Sequence, residues 1–311
     1  MQIFQFRNAA PASEQSVLTI GNFDGVHLGH QALIGRVVDE ARKTGAQSAL
    51  LTFDPHPQTV LSERQVPALT SLKQRISLFE GLGLEAVYLI PFTRQLAKKS
   101  AEEFVREFLI DRFRLRRVVM GYDFAFGRNR EGTATVMEAL SGEFGFAYEV
   151  FPAVAVDGQI VSSSRIRRVL ESGEFRLAER LLGRPFSILG LVVRGERRGQ
   201  ELGFPTMNVV PELTLALRRG VYAVKTRVGE GVYGGVCNYG VRPTVGAAQP
   251  MLETHLFDFD ITGEGYGETI EVMPLRFLRE ERAFASLDDL RAQIARDSRE
   301  ARAFLEQVRT S

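Results

Sequence analysis

The feature that most constrains this chain is a change of texture near Gly183. Before it, apolar β-rich runs alternate with helical patterns; after it, short strand-like runs follow one another with glycine-rich turns between several of them. The candidate strands of the first part are Ser16–Gly21, Gln47–Asp54, Ala86–Pro91, Arg117–Gly121 and Ala147–Pro152. Amphipathic stretches begin near His30, Ser71, Ser100 and Thr133. Strand–helix alternation at this spacing predicts an α/β domain with a doubly wound parallel sheet. Such sheets bind ligands beyond the carboxyl ends of their strands. Polar clusters fall there: Gly21 to Asp24, Asp54 to Pro57, and Gly121 to Asp123.

Gly183-Arg184-Pro185 breaks the helical pattern. Six runs then read as strands: Ser187–Arg194, Thr206–Val210, Gly220–Val228, Val232–Tyr239, Leu252–Phe259 and Thr269–Leu278. Without intervening helices they predict an all-β second domain, a small antiparallel barrel or sandwich. One helix closes the chain. Ser286-Leu287-Asp288-Asp289 resembles a capping box, and Leu287, Leu290, Ile294, Ala301, Phe304, Leu305 and Val308 form an apolar stripe at helical spacing. The expected domains are residues 1–183 and 184–311, each long enough to bury its own core.

Composition excludes more than it assigns. The 39 basic and 38 acidic residues leave a net charge of +1, which gives no global reason to expect nucleic acid or membrane binding. No apolar run approaches the ~18 residues of a membrane span. The N-terminus lacks the pattern of a secretion signal, and a lone Cys237 fits a reducing compartment. The expectation is a cytoplasmic globular protein, and nothing in the sequence calls for an obligate protein partner.

The strongest local signal is the run from Gly21 to His30, Gly-Asn-Phe-Asp-Gly-Val-His-Leu-Gly-His, between a buried strand and a helix. Gly21, Gly25 and Gly29 let backbone approach a ligand where a Cβ would clash. The start of the following helix offers free N–H groups and a positive dipole end, a natural phosphate site. His27 and His30 can face one point and donate to phosphate oxygens. The same pair would also serve as two surface histidines or as half of a metal site. A metal would need His56 as its further nitrogen ligand, because Cys237 lies in the other domain.

This HxGH element after a Gly-x-Phe-Asp-Gly turn resembles the nucleotidyltransferase superfamily, which transfers AMP or CMP from a nucleoside triphosphate. Thr52 to Pro57, Gly121 to Gly127 and Ser162 to Arg167 follow in the expected order. Together they resemble the adenylyltransferase module of the bacterial bifunctional riboflavin kinase/FMN adenylyltransferase family. The resemblance implies a Rossmann-like nucleotidyltransferase domain in which His27, His30 and Arg167 neutralise the phosphates. Gly21, Phe23, Asp24, Gly29, Asp123, Phe126, Ser163 and Ser164 would bind ATP, and His56 would meet the flavin phosphate or order its loop. In the family pattern Ser-Ser-Thr-x-x-Arg the arginine falls on Arg167, and Ser164 stands where threonine is often found, keeping the hydroxyl. A guanidinium grips phosphate bidentately, which lysine cannot.

In the second domain, Leu202 to Asn208 runs into a strand, so Thr206 and Asn208 share a face. Hydroxyl and amide oxygens are hard ligands suited to Mg²⁺. With Asn238 to Thr244 and Glu253-Thr254-His255-Leu256-Phe257, this stretch resembles the riboflavin kinase module, whose signature is Gly-Phe-Pro-Thr-Ala-Asn. The resemblance implies a Greek-key barrel with Glu253 as catalytic base and Thr206 and Asn208 as metal ligands. Gly195, Arg198, Gly199, Gly203 and Pro205 would bind the nucleotide, and Arg279 would border the flavin. Met207 replaces the usual alanine and should face away from Thr206 and Asn208, altering packing rather than the metal site.

Two patterns lead elsewhere. Gly229 to Gly234 satisfies GxGxxG but lies between strands, so it reads as a hairpin turn. The basic run from Arg112 to Arg117 reads as a surface edge between helix and strand. The whole predicts an enzyme using ATP, riboflavin, FMN and Mg²⁺. It would phosphorylate riboflavin in the second domain and join AMP to FMN in the first, giving FAD and pyrophosphate. The alternatives are a relative with one active module, and a non-catalytic flavin-nucleotide sensor or RNA-binding regulator.

Overall fold

In the computed structural model, residues 1–6, 15–62, 66–195, 199, 202–244, 247–260 and 265–309 are described. By its contacts the chain divides into two compact units, Met1–Val66 with Leu72–Ser163, and Pro67–Ser71 with Ser164–Ser311.

The first unit is built on a six-stranded parallel sheet: β1 (Gln2–Gln5), β2 (Gln15–Ile20), β3 (Gln47–Asp54), β4 (Ala86–Pro91), β5 (Arg114–Gly121) and β6 (Ala147–Phe151). Their spatial order is β1-β4-β3-β2-β5-β6, with every neighbouring pair parallel. Alternate residues of each strand point to opposite faces, and each face has its own core. Val17, Leu50, Val87 and Val119 pack under α1 (Leu28–Thr44) and α3 (Leu72–Gly81), through Ile34, Val37 and Phe79. Leu18, Ala49, Leu51 and Met120 pack with Phe104, Phe108 and Met137 on the other face. Those come from α4 (Ala101–Val105), the π-helical turn Arg106–Ile110 that continues it, and α5 (Ala134–Phe144). Helices on both faces make the expected doubly wound fold.

Local chemistry sets the helix starts. Ser100 and Glu103 exchange reciprocal bonds with each other's backbone amides before α4, and Thr133 caps α5. The short helix α2 (Pro57–Leu61) follows β3, and the hairpin β7 (Ala155–Val156) and β8 (Gln159–Ile160) precedes α6 (Ser163–Glu171). The basic run falls mostly inside β5, where Arg117 pairs with Glu40 at 3.2 Å and Glu149 at 3.1 Å.

The second unit holds a closed barrel of β9 (Ile188–Val193), β10 (Met207–Pro211), β11 (Gly220–Val228), β12 (Gly231–Thr244), β13 (Ala247–Leu256) and β14 (Thr269–Arg279). All its pairings are antiparallel, in the order β10-β13-β12-β11-β14-β9. Strands β11, β12 and β13 form a meander and β14 returns beside β11, which is the Greek-key arrangement. The GxGxxG stretch is a hairpin turn, with Val228 paired to Gly231 across it.

Helix α7 (Phe175–Leu182) precedes the barrel; α8 (Leu287–Arg309) packs on β11, β12 and β14 through Ala301 and Leu305. Ser286 Oγ accepts from the Asp289 amide and donates to its carboxylate, starting α8. The predicted strand Leu252–Phe259 ends earlier, at Leu256, because the chain turns with Asp258 at φ 57°. Strand β12 extends past Tyr239 to Thr244, since pairing with β13 continues through the segment read as a loop.

Candidate functional site

The first site lies where the strand order reverses. From central β2 the chain winds outward to β3 and β4 on one side and to β5 and β6 on the other. The loops after β2 and β5 therefore flank a crevice at the sheet's switch point. The Gly21 amide donates to the Leu51 carbonyl at 3.1 Å, and the following turn is strained: Phe23 has φ 52° and Val26 φ 40°. Left-handed backbone at a β-branched residue costs of order 1–3 kcal/mol. Both side chains are buried, and the Phe23 ring stands edge-on to His30 at 5.1 Å and to Phe79 at 5.8 Å.

His27 caps α1, its Nδ1 accepting from the His30 amide at 3.3 Å. Its neutral form therefore carries the proton on Nε2. The His30 ring stacks on it at 3.7 Å and 16°. A Cβ at Gly29 would lie 3.2 Å from the His27 ring, so glycine leaves room for the stack. Burial first, and the neighbouring His27 second, hold His30 well below its ordinary value of 6.5. The His30 Nδ1 is buried with no partner in the protein. The stacked pair is thus suited to donate at the start of a helix, with His30 held in its neutral form.

The other residues predicted for this site lie in differing surroundings. Asp24 is buried, and its carbonyl accepts from the Ser163 hydroxyl at 2.8 Å, tying the start of α6 to the loop. Asp123 is exposed just beyond β5. Phe126, read as a purine contact, is 6% exposed and packs against Phe104 at 5.3 Å, a core position. His56 caps α2, its Nδ1 accepting from the Gln58 amide at 3.2 Å. Ser164 and Arg167 belong by contacts to the second unit, where Arg167 Nε donates to the Pro67 carbonyl at 2.6 Å. Among the described residues no group of three or more His, Cys, Asp or Glu could hold a metal.

The second site is a cavity of about 620 Å³ lined by residues of the barrel and α8, within the size range of ligand pockets. Thr206, Asn208, Glu253 and Arg279 all line it, with His255 and Asn238. Register explains the grouping. Glu253 pairs with Asn208 on one neighbouring strand and with Asn238 on the other, so three polar side chains form one row. The Asn208 Oδ1 is buried without a partner. Gly195 lies against it: a Cβ there would stand 2.6 Å from Asn208 Cγ. Gly199 lies beside Thr206, its Cβ position being 3.1 Å from Oγ1. Gly203 and Pro205 complete the approach to β10, while Arg198 lies outside the described residues.

Met207 is buried and lines no part of the cavity, facing away from Thr206 and Asn208 as alternation requires. His255 Nδ1 bonds the Pro205 carbonyl at 2.8 Å, and burial pushes the ring below its ordinary value of 6.5. Arg279 is held by a two-pronged pair to Asp297 of α8 at 2.8–3.1 Å, and Gln293 donates to the same carboxylate at 2.6 Å. Asp297, Glu281 and the exposed apolar start of α8, with Leu287 71% exposed, are cavity residues that sequence reasoning does not single out. The helical stripe hides them, because periodicity marks an apolar face without saying what covers it. Arg75, buried beneath the first crevice, is also missed, since a lone arginine inside a helix carries no motif.

Two family models match the chain in tandem, FAD synthetase over residues 9–165 and riboflavin kinase over residues 182–305. Among curated proteins, bifunctional riboflavin kinase/FMN adenylyltransferases align over nearly the full length. That of Haemophilus influenzae is 36% identical over 98% of this chain and 99% of its own. Those of Escherichia coli K12 and Bacillus subtilis 168 are 39% and 37% identical over 94% and 95% of this chain, and over 93% and 94% of their own. A crystal structure named as a macrolide-efflux protein from Streptococcus pneumoniae has a TM-score of 0.81 at 29% identity, covering 95% of this chain and 96% of that one. What is shared there is the fold; among the described residues no helix is long and apolar enough to cross a membrane. With both models matched in the order of the two sites, the chain belongs to the bifunctional riboflavin kinase/FMN adenylyltransferase family.

Proposed function

We propose that this chain makes FAD in two steps, phosphorylating riboflavin to FMN in the barrel and then joining FMN to AMP in the parallel-sheet domain. The domains would divide as residues 1–183 and 184–311. Asn208 and Glu253 carry the first assignment: an oxygen ligand with no partner in the protein stands opposite a carboxylate on the wall of a ligand-sized cavity. The substrates are ATP and riboflavin, then ATP and FMN.

In the kinase step Glu253 accepts the proton of the riboflavin 5′-hydroxyl while that oxygen bonds to the γ-phosphorus and ADP leaves. Thr206 and Asn208 fit Mg²⁺, both offering hard oxygens, and the glycines beside them leave the approach open. Bound there, Mg²⁺ would neutralise charge on the transferring phosphate. Gly195, Gly199, Gly203 and Pro205 border the nucleotide, joined by Arg198 from the sequence motif alone. The flavin rests on Arg279 and the apolar start of α8.

In the transfer step a phosphate oxygen of FMN bonds to the α-phosphorus of ATP and pyrophosphate leaves. His27 and His30 donate to the phosphates, with the start of α1 supplying its dipole. Gly21, Asp24, Asp123 and Ser163 shape the nucleotide site; Phe23 acts through its buried ring. Arg167 and Ser164 are assigned to phosphate binding by the sequence motif alone. Both steps are phosphorus displacements, so positioning and electrostatics do the work. The compartment is the cytoplasm, consistent with a single, buried cysteine.

Incubation with riboflavin and Mg-ATP, followed by chromatographic separation of flavins, tests this. FMN appears first and FAD later. FMN without FAD refutes the second activity, and unchanged riboflavin refutes the first.

A further inference from the structure

Arg75 projects from α3 into the floor of the first crevice, only 5% exposed. A buried guanidinium is costly unless its charge and its donors are met. Here Nε is left without a partner, and what meets the two terminal nitrogens is the loop carrying the transferase motif and the end of β3. One terminal nitrogen donates to the Asn22 carbonyl at 2.9 Å and to the Thr52 hydroxyl at 3.3 Å. The other faces Asp54 at 3.8 Å, and Asp24 adds a second negative charge nearby. Thr52 in turn donates to the same Asn22 carbonyl at 3.4 Å. Three segments meet on one planar group: the turn after β2, the end of β3, and α3.

The Asn22 carbonyl belongs to the peptide unit that leads into Phe23, the residue held at φ 52°. Phe23 is also the ring against which His30 stands. An anchor on that carbonyl therefore fixes the strained turn and, through Phe23, the imidazole next to the phosphates. We propose that Arg75 is a positioning residue for adenylyl transfer, its buried guanidinium clamping the Asn22–Asp24 turn to the end of β3 so that His30 is held for the reaction. This rests on the reading of that crevice as the FMN adenylyltransferase site. Lysine is no substitute, because a point charge cannot reach Asn22, Thr52 and Asp54 in one plane.

The test uses the full chain carrying Arg75→Met or Arg75→Lys. Conversion of FMN to FAD gives kcat and KM, riboflavin phosphorylation in the same samples is the internal control, and thermal unfolding reports the folded fraction. Misplacement of a reacting group by about 1 Å can cost 10²-fold, so Arg75→Met should lower kcat for FAD roughly 30- to 100-fold. KM for FMN and the kinase rate should stay within about threefold. Arg75→Lys should unfold near the parent temperature yet keep a kcat at least about fivefold low. If Arg75→Met does not fold, the lysine variant decides alone. A folded variant whose kcat stays above that fivefold limit overturns the proposal, as does a loss that only tracks the unfolded fraction. A parent protein that makes no FAD refutes the activity itself instead.

Discussion

Asn208 and Glu253 face each other across the β10–β13 ladder, and Asn238 takes the other side of Glu253. The proposed cation ligand and the proposed base are thus spaced by backbone hydrogen bonding rather than by a flexible loop. Glu253→Gln keeps the shape and removes the basicity. It should lower riboflavin phosphorylation by roughly 10²- to 10⁴-fold, the range of a positioned general base, and leave FMN-to-FAD conversion intact. Flavin chromatography with either starting flavin reads both.

Gly195 matters through the space that it leaves beside Asn208. In Gly195→Ala the new methyl must push the carboxamide aside, since its position lies 2.6 Å from Cγ. The kinase rate should fall by at least about tenfold, with a raised Mg²⁺ requirement. FAD formation from FMN should be unaffected. A titration of both activities against Mg²⁺ checks this.

His30→Ala should abolish FAD formation, by roughly 10²- to 10³-fold as for loss of one charge-stabilising donor, and spare FMN formation. The depressed values of His30 and His255 also set a pH dependence. Above 6.5 both rings are neutral in folded and unfolded chains and contribute nothing. Below it the unfolded chain binds protons that the folded chain refuses, so stability falls as pH drops from 6.5 toward the folded values. Denaturant unfolding from pH 7.5 to 5 should follow that sign, and His30→Ala should flatten part of the slope.

The two ends of the α8 stripe should answer differently. Leu287 is 71% exposed at the cavity mouth, so Leu287→Ser should change stability by less than about 0.5 kcal/mol. It should raise KM for riboflavin severalfold. Leu305 is buried against the barrel, and Leu305→Ala should cost about 2–3 kcal/mol with little effect on that KM. Chemical denaturation and kinase kinetics separate the two.

Much of this architecture is legible in the residues. Gln47–Asp54 is built around Ala-Leu-Leu, Ala86–Pro91 is a continuous apolar run, and both are strands observed. The barrel strands stand out because turn residues punctuate them. Strand β1 does not, being four residues long and lying at the sheet edge beside β4. The site divides in the same way. Thr206 and Asn208 are visible through spacing, since alternation fixes which face they share, and Glu253 through the resemblance of its motif to the riboflavin kinase module. Arg75 and Asp297 are invisible, because their roles arise from partners 53 and 18 residues away in Asn22 and Arg279. Phe126 shows how a motif residue can also serve packing: the aromatic is buried and packs against Phe104.

Among the described residues the closed barrel leaves none of its strands with an unpaired edge, whereas the open sheet ends in β1 and β6. Both outer strands carry exposed apolar residues, Ile3 on one and Val150 on the other. Unpaired backbone beside apolar surface is a template for another chain. The hazard of intermolecular strand addition therefore falls on the domain that makes FAD, and stress that drives association would erode the second step of the route before the first.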